Sequence, residues 1–397
     1  MYSVGIDVSK GVSKVCMISH YGEVIYEPFD VKHTVDDLEK LVEKIKSYKE
    51  VKVVLEATGR YSLPLMNYLL TNDVFVSREN PLTIKKFSDL SIRKGKTDKK
   101  DALKLAQYGI VNWSKLKLYE YTEDVFLELR SLSRQYYNYI KMKIKAKQNF
   151  DGFIDKVMPD IKNLLTEDIK NLLTEEKLRD FVDYFWHCDN ITKLSSKQLA
   201  RKYNTWAKKK GYHQSDDKAN KIYELALNSI PSLDSNYRST KLLVRESIKT
   251  ITKVEISCVL ILTQMEKLAS ELPEYKMLIE MKGIGVKLAV RLIAEIGDVR
   301  NIYSKKALIA LAGLDAPPFE SGRFVGTNRH ISKRGNKYIR KTGYEIMKSY
   351  KTHKPDDDVY RYLIMKELEG MPKKKAKIAA LNKFLRRYYA KVSELYI

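Results

Sequence analysis

Cysteine is scarce: Cys16, Cys188 and Cys258 are the only three in 397 residues, and they lie far apart with no paired spacing. That excludes a disulfide framework and a cysteine-based zinc site, and it fits a reducing compartment. Long apolar runs are missing too. No stretch approaches the ~18 residues that a transmembrane helix requires, so neither a membrane span nor a membrane partner is expected. The opening "MYSVGIDVSKG" has no charged leader followed by an apolar segment, so it reads as a strand and not as a signal peptide. A cytoplasmic protein is the expectation. Acidic residues are in deficit. Asp and Glu total 50 against 73 Lys and Arg, a formal charge of +23 with a pI near 9.5. Such an excess favours a polyanionic partner, nucleic acid before an acidic membrane surface. What is present is enough to fold: apolar residues make up 44% of the chain, and its length allows two or three domains, each with a core.

Residues 1–114 alternate in type. "MYSVGIDVS", "SKVCMISH" and "EVIYEPFDV" read as three strands. "TVDDLEKLVEKIKSY" follows at helical spacing, with Thr34 as N-cap and Asp37 completing an imperfect capping box. "VKVVLEAT" is a buried-type strand, "SLPLMNYLLTN" a helix and "DVFVSREN" a fifth strand, before a helix opening near Asp98. Three strands followed by alternation predict an α/β domain with a mixed sheet. Residues 115–275 are poor in glycine and helical. Two long segments, beginning at "FLELRSLSRQYY" and "STKLLVRESIKT", have the length to pair as an antiparallel coiled coil, within the chain or with a second copy. Between them lies the tandem "IKNLLTED"–"IKNLLTEE", too short for a solenoid repeat and read as duplication within a helix or helical pair. Residues 276–397 form a basic, mainly α domain. "MKGIGVKLA" sets a Gly-Ile-Gly turn between two helices, as in a helix-hairpin-helix, with Lys282 and Lys287 beside it as candidate phosphate contacts. In the last helix, Ile378, Leu381, Phe384 and Leu385 mark a core face.

Four carboxylates carry the first chemical signal. Asp7 alternates with Val4, Ile6 and Val8, so it points away from the apolar face of its strand. Glu56 closes a strand just before a turn, where sites form in open α/β sheets. Asp98 and Asp101 stand three apart on one helix face. Hard oxygen donors of this kind suit two Mg²⁺ or Mn²⁺ ions, which activate a nucleophile and stabilise a leaving oxygen in phosphoryl transfer. The plainer alternatives are a helix cap at Asp98 with Asp101 in the first turn, and Asp7 buried against a lysine.

"GIDVSK", "LEATGRY" and "RKGKTDKKDALKLA", in that order, resemble the RNase H-like (RuvC-like) domain of DEDD-type insertion-sequence transposases, the bridge-RNA-guided recombinases. The resemblance implies that Asp7, Glu56, Asp98 and Asp101 are the metal ligands; the flanking Lys96, Lys99 and Lys100 are expected, on their charge, to face nucleic acid. "GLDAPPFESGRFVGTNRHISKRGNKYIRK" resembles the small transposase domain of the same family and implies that Ser321 is the nucleophile. A serine hydroxyl can attack a phosphodiester and store its bond energy in a phosphoserine link, given nearby cations; Arg323, Arg329, Lys333 and Arg334 supply them. Read without the family, Ser321 is a polar loop residue, and Ser332 is its rival, better suited to a cap or a phosphate contact. The resemblance further implies donor and target DNA, a structured guide RNA, and a dimer or tetramer whose subunits complete each other's sites. Two other readings use the same residues: a junction-resolving nuclease with water as nucleophile, and a non-catalytic nucleic-acid-binding protein.

Overall fold

The computed structural model describes residues 1–56, 61–88, 97–119, 124–166, 172–317, 320–321, 324–325 and 330–397. The chain forms two compact units, Met1–Tyr121 and Thr122–Ile397.

Unit 1 contains β1 (Tyr2–Val8), β2 (Val12–Ser19), β3 (Val24–Lys32), α1 (Val35–Lys46), β4 (Val51–Glu56), α2 (Ser62–Thr71), β5 (Val76–Glu79), α3 (Pro81–Ser88) and α4 (Asp98–Val111). The sheet has the order β3-β2-β1-β4-β5. β1 runs antiparallel to β2 and parallel to β4, and β4 is parallel to β5. The mixed sheet is the one the sequence pattern predicts. One face carries Val4, Ile6, Val53 and Leu55 against Leu38, Leu41, Leu65 and Leu69 of α1 and α2. Thr34 caps α1 as expected, its hydroxyl accepting from the Asp37 amide. The other face is covered by α4, and Gly5 is the reason it fits. A Cβ at Gly5 would meet the Ala102 carbonyl oxygen at 2.1 Å and the Ala106 nitrogen at 2.3 Å. The helix backbone therefore rests directly on the strand backbone, which only glycine permits.

Unit 2 begins with α5 (Asp124–Val157), α6 (Ile161–Thr166), α7 (Leu172–Phe185), α8 (Asp189–Thr192), α9 (Ser196–Lys210), α10 (Asp216–Asn228) and α11 (Thr240–Ala269). It continues with α12 (Pro273–Ile279), α13 (Val286–Ile296), α14 (Lys305–Ala312), β6 (Glu320–Ser321), β7 (Phe324–Val325), α15 (Lys337–His353), α16 (Asp358–Leu368) and α17 (Lys373–Leu395). α5 and α11 lie antiparallel. The start of α5 packs with the end of α11 around Phe126, Leu129, Cys258 and Met265. The end of α5 packs with the start of α11 around Phe150, Ile154, Val244 and Ile251. These are two separate cores on one helical pair. The second also holds α6 to α10, with the tandem copies falling on α6 and the start of α7. The first holds α12 to α17. There Leu381, Phe384 and Leu385 of α17 are fully buried, as the spacing predicts, with Ile378 partly buried beside them.

Candidate active site and nucleic-acid interface

The pairing of the five strands lines up one row of charge. Asp30 pairs with Lys14, and Lys14 with Asp7. The last couple joining β1 to β4 is Ile6 with Leu55; one residue beyond it on each strand stand Asp7 and Glu56. Glu56 pairs in turn with Glu79. Paired residues point to the same face, so Asp30, Lys14, Asp7, Glu56 and Glu79 form a line across the sheet on the side of α4. Within it, Lys14 is committed to Asp30 at 2.6 Å. Glu79 accepts from the Ser77 hydroxyl at 2.8 Å and from the Tyr108 hydroxyl of α4 at 3.2 Å.

The path of α4 brings its first turn to this row. A Cβ at Gly109 would touch the Ser3 hydroxyl, and the turn Ala102–Ala106 lies over Gly5. From Ser3 to Gly5 the strand advances about 6.6 Å, and the helix between those two contacts covers about 7.5 Å. The helix thus runs antiparallel to β1, with its N-terminal end toward the Asp7 end of the strand. The helix cap is not Asp98. Thr97 is the N-cap, its hydroxyl accepting from the Lys100 amide at 3.3 Å. Asp98 is the first helical residue and is exposed; Asp101 is half-buried, 3.6 Å from Lys104. The positive end of α4 therefore adds to the attraction for negative charge at this level of the sheet. Among the described residues no three His, Cys, Asp or Glu are close enough to share an ion.

Ser321 lies in unit 2. Its backbone forms β6, paired antiparallel with β7 so that Ser321 faces Phe324. The sequence pattern reads this stretch as loop; two-residue strands carry no periodicity to detect. The chain after it is fastened to the end of α14. The Ser332 amide and hydroxyl both donate to Asp315, and the Lys333 amide donates to the Gly313 carbonyl at 3.0 Å. A Cβ at Gly335 would meet the Leu311 carbonyl oxygen at 2.2 Å, so glycine is required there. The cap of α15 is Asn336, and not Ser332: its side-chain oxygen accepts from the Tyr338 and Ile339 amides. The Asn336 amide nitrogen donates to the Glu295 carboxylate of α13 at 2.8 Å. Glu295 is buried, and it also accepts from Ser133 at 2.8 Å and Arg134 at 2.9 Å, both on α5.

Comparison with known proteins agrees with both halves. Residues 4–159 match a family model described as a transposase, of the DEDD IS110 type, and residues 275–361 match one described as the IS116/IS110/IS902 transposase family. Together they span more than half of the chain. The chain belongs to the IS110/IS116 family of transposases. A Streptomyces clavuligerus protein described as an insertion element IS116 protein of 44.8 kDa is 21% identical over 365 residues, covering 85% of this chain and 81% of that one. Among solved structures, Thermus thermophilus RuvC bound to a Holliday junction substrate is 11% identical with a TM-score of 0.24, covering 30% of this chain and 99% of RuvC. A second Thermus thermophilus RuvC structure gives 12% identity and the same score, covering 30% of this chain and all of that one.

The remaining predicted residues of the transposase distribute as follows. Lys99, Lys100, Lys282, Lys287, Lys333 and Arg334 are all exposed. Lys96, Arg323 and Arg329 lie outside the described residues, as does the side chain of Ser321. The Gly-Ile-Gly turn joins α12 to α13, and the Gly283 carbonyl accepts from Ser349 of α15 at 2.6 Å. No described helix is long and apolar enough to cross a membrane. Sequence reasoning missed Lys14, Asp30 and Glu79 of the charged row. Their signal lies only in the register of strands far apart in the chain.

Proposed function

We propose that this transposase cuts and rejoins DNA through a covalent phosphoserine intermediate, with divalent cations held by Asp7, Glu56, Asp98 and Asp101. The observation that supports the reading is the register of two parallel strands, which sets Asp7 beside Glu56 one residue beyond the Ile6–Leu55 couple. Mg²⁺ is commonly held by one or two carboxylates plus substrate phosphate oxygens and water, so an adjacent strand pair with a helical pair above it fits such an ion without an all-protein cage. When bound, the metal supplies charge neutralisation at the phosphodiester. The chain's own part is to hold those carboxylates in register and to present Ser321. The Ser321 oxygen replaces one ester oxygen on phosphorus, and the displaced strand leaves as a hydroxyl carrying the serine proton. The bond energy is kept in the Ser–O–P link for rejoining. Donor and target DNA are the substrates. A structured RNA as guide and a dimer or tetramer as working form rest on the resemblance of the two motif-bearing segments.

The test is trapping of a protein–DNA adduct on a denaturing gel. The adduct is expected with the wild-type protein and Mg²⁺, and it is expected to vanish with EDTA, Asp7→Asn or Ser321→Ala. Cleavage that persists undiminished in Ser321→Ala, with no adduct, would replace this mechanism with water-mediated hydrolysis at the same carboxylates. DNA transactions unchanged in Asp7→Asn would leave the chain a binding protein.

A further inference from the structure

Two of the second unit's four acid-free runs of more than twenty residues (129–150, 190–215, 321–344 and 370–393) meet in the fold. Between Glu128 and Asp151 there is no Asp or Glu, and between Glu320 and Glu345 there is none. The first run is most of α5; the second is the Ser321 segment with the first half of α15. The fold lays them together. The Arg134 guanidinium sits 4.2 Å from the Tyr338 ring centroid, the Tyr137 and Tyr338 rings are 4.3 Å apart, and Lys341 lies 5.2 Å from the Tyr137 ring. Along α15 the exposed positions Lys337, Lys341 and Lys348 recur at i, i+4 and i+11, with half-buried Tyr344 between them at i+7. At ~100° per residue these four fall within roughly one 60° sector of the helix. The Lys348 ammonium stands 5.4 Å from the Tyr344 ring. Glu345, the nearest acid, stands about 40° around the helix from Lys341, and its carboxylate is engaged by buried Arg291 at 2.7 Å. Next to Lys348, Ser349 holds the Gly283 carbonyl, which brings exposed Lys282 to the far end of the same helix. At the near end, exposed Lys333 and Arg334 lead back toward β6.

We propose that the exposed stripe Lys337–Lys341–Tyr344–Lys348 of α15 is a track for the DNA sugar–phosphate backbone leading to the serine-bearing segment. The inference rests on the DNA-rejoining reading above and adds where unit 2 grips its substrate. From Lys337 to Lys348 the helix rises about 16.5 Å, equal to roughly five base-pair steps of rise along a duplex axis. The residues are point charges on flexible stems with aromatic rings beside them, and none presents a base-reading amide. The contact is therefore sequence-independent and positions the duplex without selecting it. The cations need no conformational change to act, because packing of Tyr338 on Tyr137 and the Asn336 cap already fix the start of the helix.

The test is the salt dependence of duplex DNA binding by the full-length protein, read as the slope of log affinity against log salt concentration. Replacing Lys337, Lys341 and Lys348 together by Gln is expected to make the slope shallower by about 2 to 3, and each single Lys→Gln variant by about 0.9. The change should be equal for unrelated DNA sequences. A charge-matched control, Lys197→Gln with Lys208→Gln and Lys209→Gln on α9, is expected to leave the slope as in the wild type. A wild-type slope in the α15 triple variant, or equal flattening by the α9 control, overturns the track. So does a loss confined to RNA duplexes. The outcome separates from the mechanism above: an adduct surviving in Ser321→Ala sinks the chemistry without touching the slopes, and unchanged slopes sink the track while the adduct stands.

Discussion

In unit 1 Asp7 and Glu56 stand on strands, and their positions are set by backbone pairing through β3-β2-β1-β4-β5, while Asp98 and Asp101 stand on α4. In unit 2 the serine-bearing segment is set by side chains, above all buried Glu295 joining α5, α13 and the cap of α15. Charge differs as well. Residues 1–121 carry 20 Lys and Arg against 16 Asp and Glu, while residues 122–397 carry 53 against 34. The first unit is nearly balanced and sets Asp30, Asp7, Glu56 and Glu79 in one row; the second is strongly basic, and two of its acid-free runs pack together. The contrast separates the ways each can be broken. A sheet register fails when a backbone contact is blocked, whereas a side-chain latch fails when one buried partner is lost.

The largest effect is expected at Gly5. Gly5→Val puts branched carbon into the backbone of α4, where even a single Cβ would overlap Ala102 by more than 1 Å of normal contact distance. Such overpacking against backbone costs about 3 kcal/mol or more. Hydrogen exchange by peptide should show loss of protection over residues 1–121 with residues 122–397 protected as before. Unchanged protection in β1 and α4 would mean that the close approach is not the basis of the fold there.

Glu295→Ala comes next. It strips partners from Ser133, Arg134 and Asn336 at once, an expected loss of about 2 to 3 kcal/mol. Denaturant unfolding should show it in unit 2 alone, with Asn336→Ala reproducing the part due to the cap, about 1 kcal/mol. If the two changes made together cost as much as their separate sum, the latch is not one network.

Much of unit 1 was legible in the sequence, because strand alternation and helical periodicity report which face each residue takes. Gly5, Asp7 and Glu56 can be placed that way. Glu79, Lys14 and Asp30 cannot, since their shared row depends on which strands become neighbours, and that is decided by packing over the whole sheet. The cap of α4 was misread by one residue: Thr97 and Asp98 are both good capping types, and only the backbone geometry chooses between them. The cap of α15 likewise went to Asn336 because Glu295, distant in sequence, holds its amide. Helix α16 escaped the periodicity reading, since Val359 and Leu363 are the only buried side chains of its eleven residues. The β6–β7 pair escaped it because it is too short.

The cap offers a sharper cut between structure and chemistry. Thr97→Ala removes the hydroxyl that accepts from the Lys100 amide and should cost about 1 kcal/mol of stability. Asp98→Asn leaves that hydroxyl in place and should cost a few tenths at most, since it only weakens a favourable charge at an exposed helix start. In adduct formation the order is expected to reverse, with Asp98→Asn the more damaging. Equal stability losses for the two would return Asp98 to a capping role.

The smallest expected effect separates two buried glutamates of unit 2. Glu295 has a hydrogen bond at both carboxylate oxygens. Glu274 accepts at Oε2 from the Tyr396 hydroxyl at 2.7 Å, while its Oε1 has no hydrogen-bond partner. Burial raises the Glu274 carboxyl above the usual carboxylate range, with nearby Asp298 adding to the rise. In the folded chain it therefore keeps its proton to a higher pH than in the unfolded chain. Its contribution is most favourable below the ordinary carboxylate range and is lost as pH rises through the raised value. Glu274→Gln keeps the Tyr396 contact and removes the titration. The variant should gain on the wild type in denaturant unfolding as pH climbs through that window, and the gap should stay constant above it. A pH-independent gap between wild type and Glu274→Gln would mean that the carboxyl titrates alike in the folded and unfolded chain, so that its burial without a partner at Oε1 has no effect on its protonation.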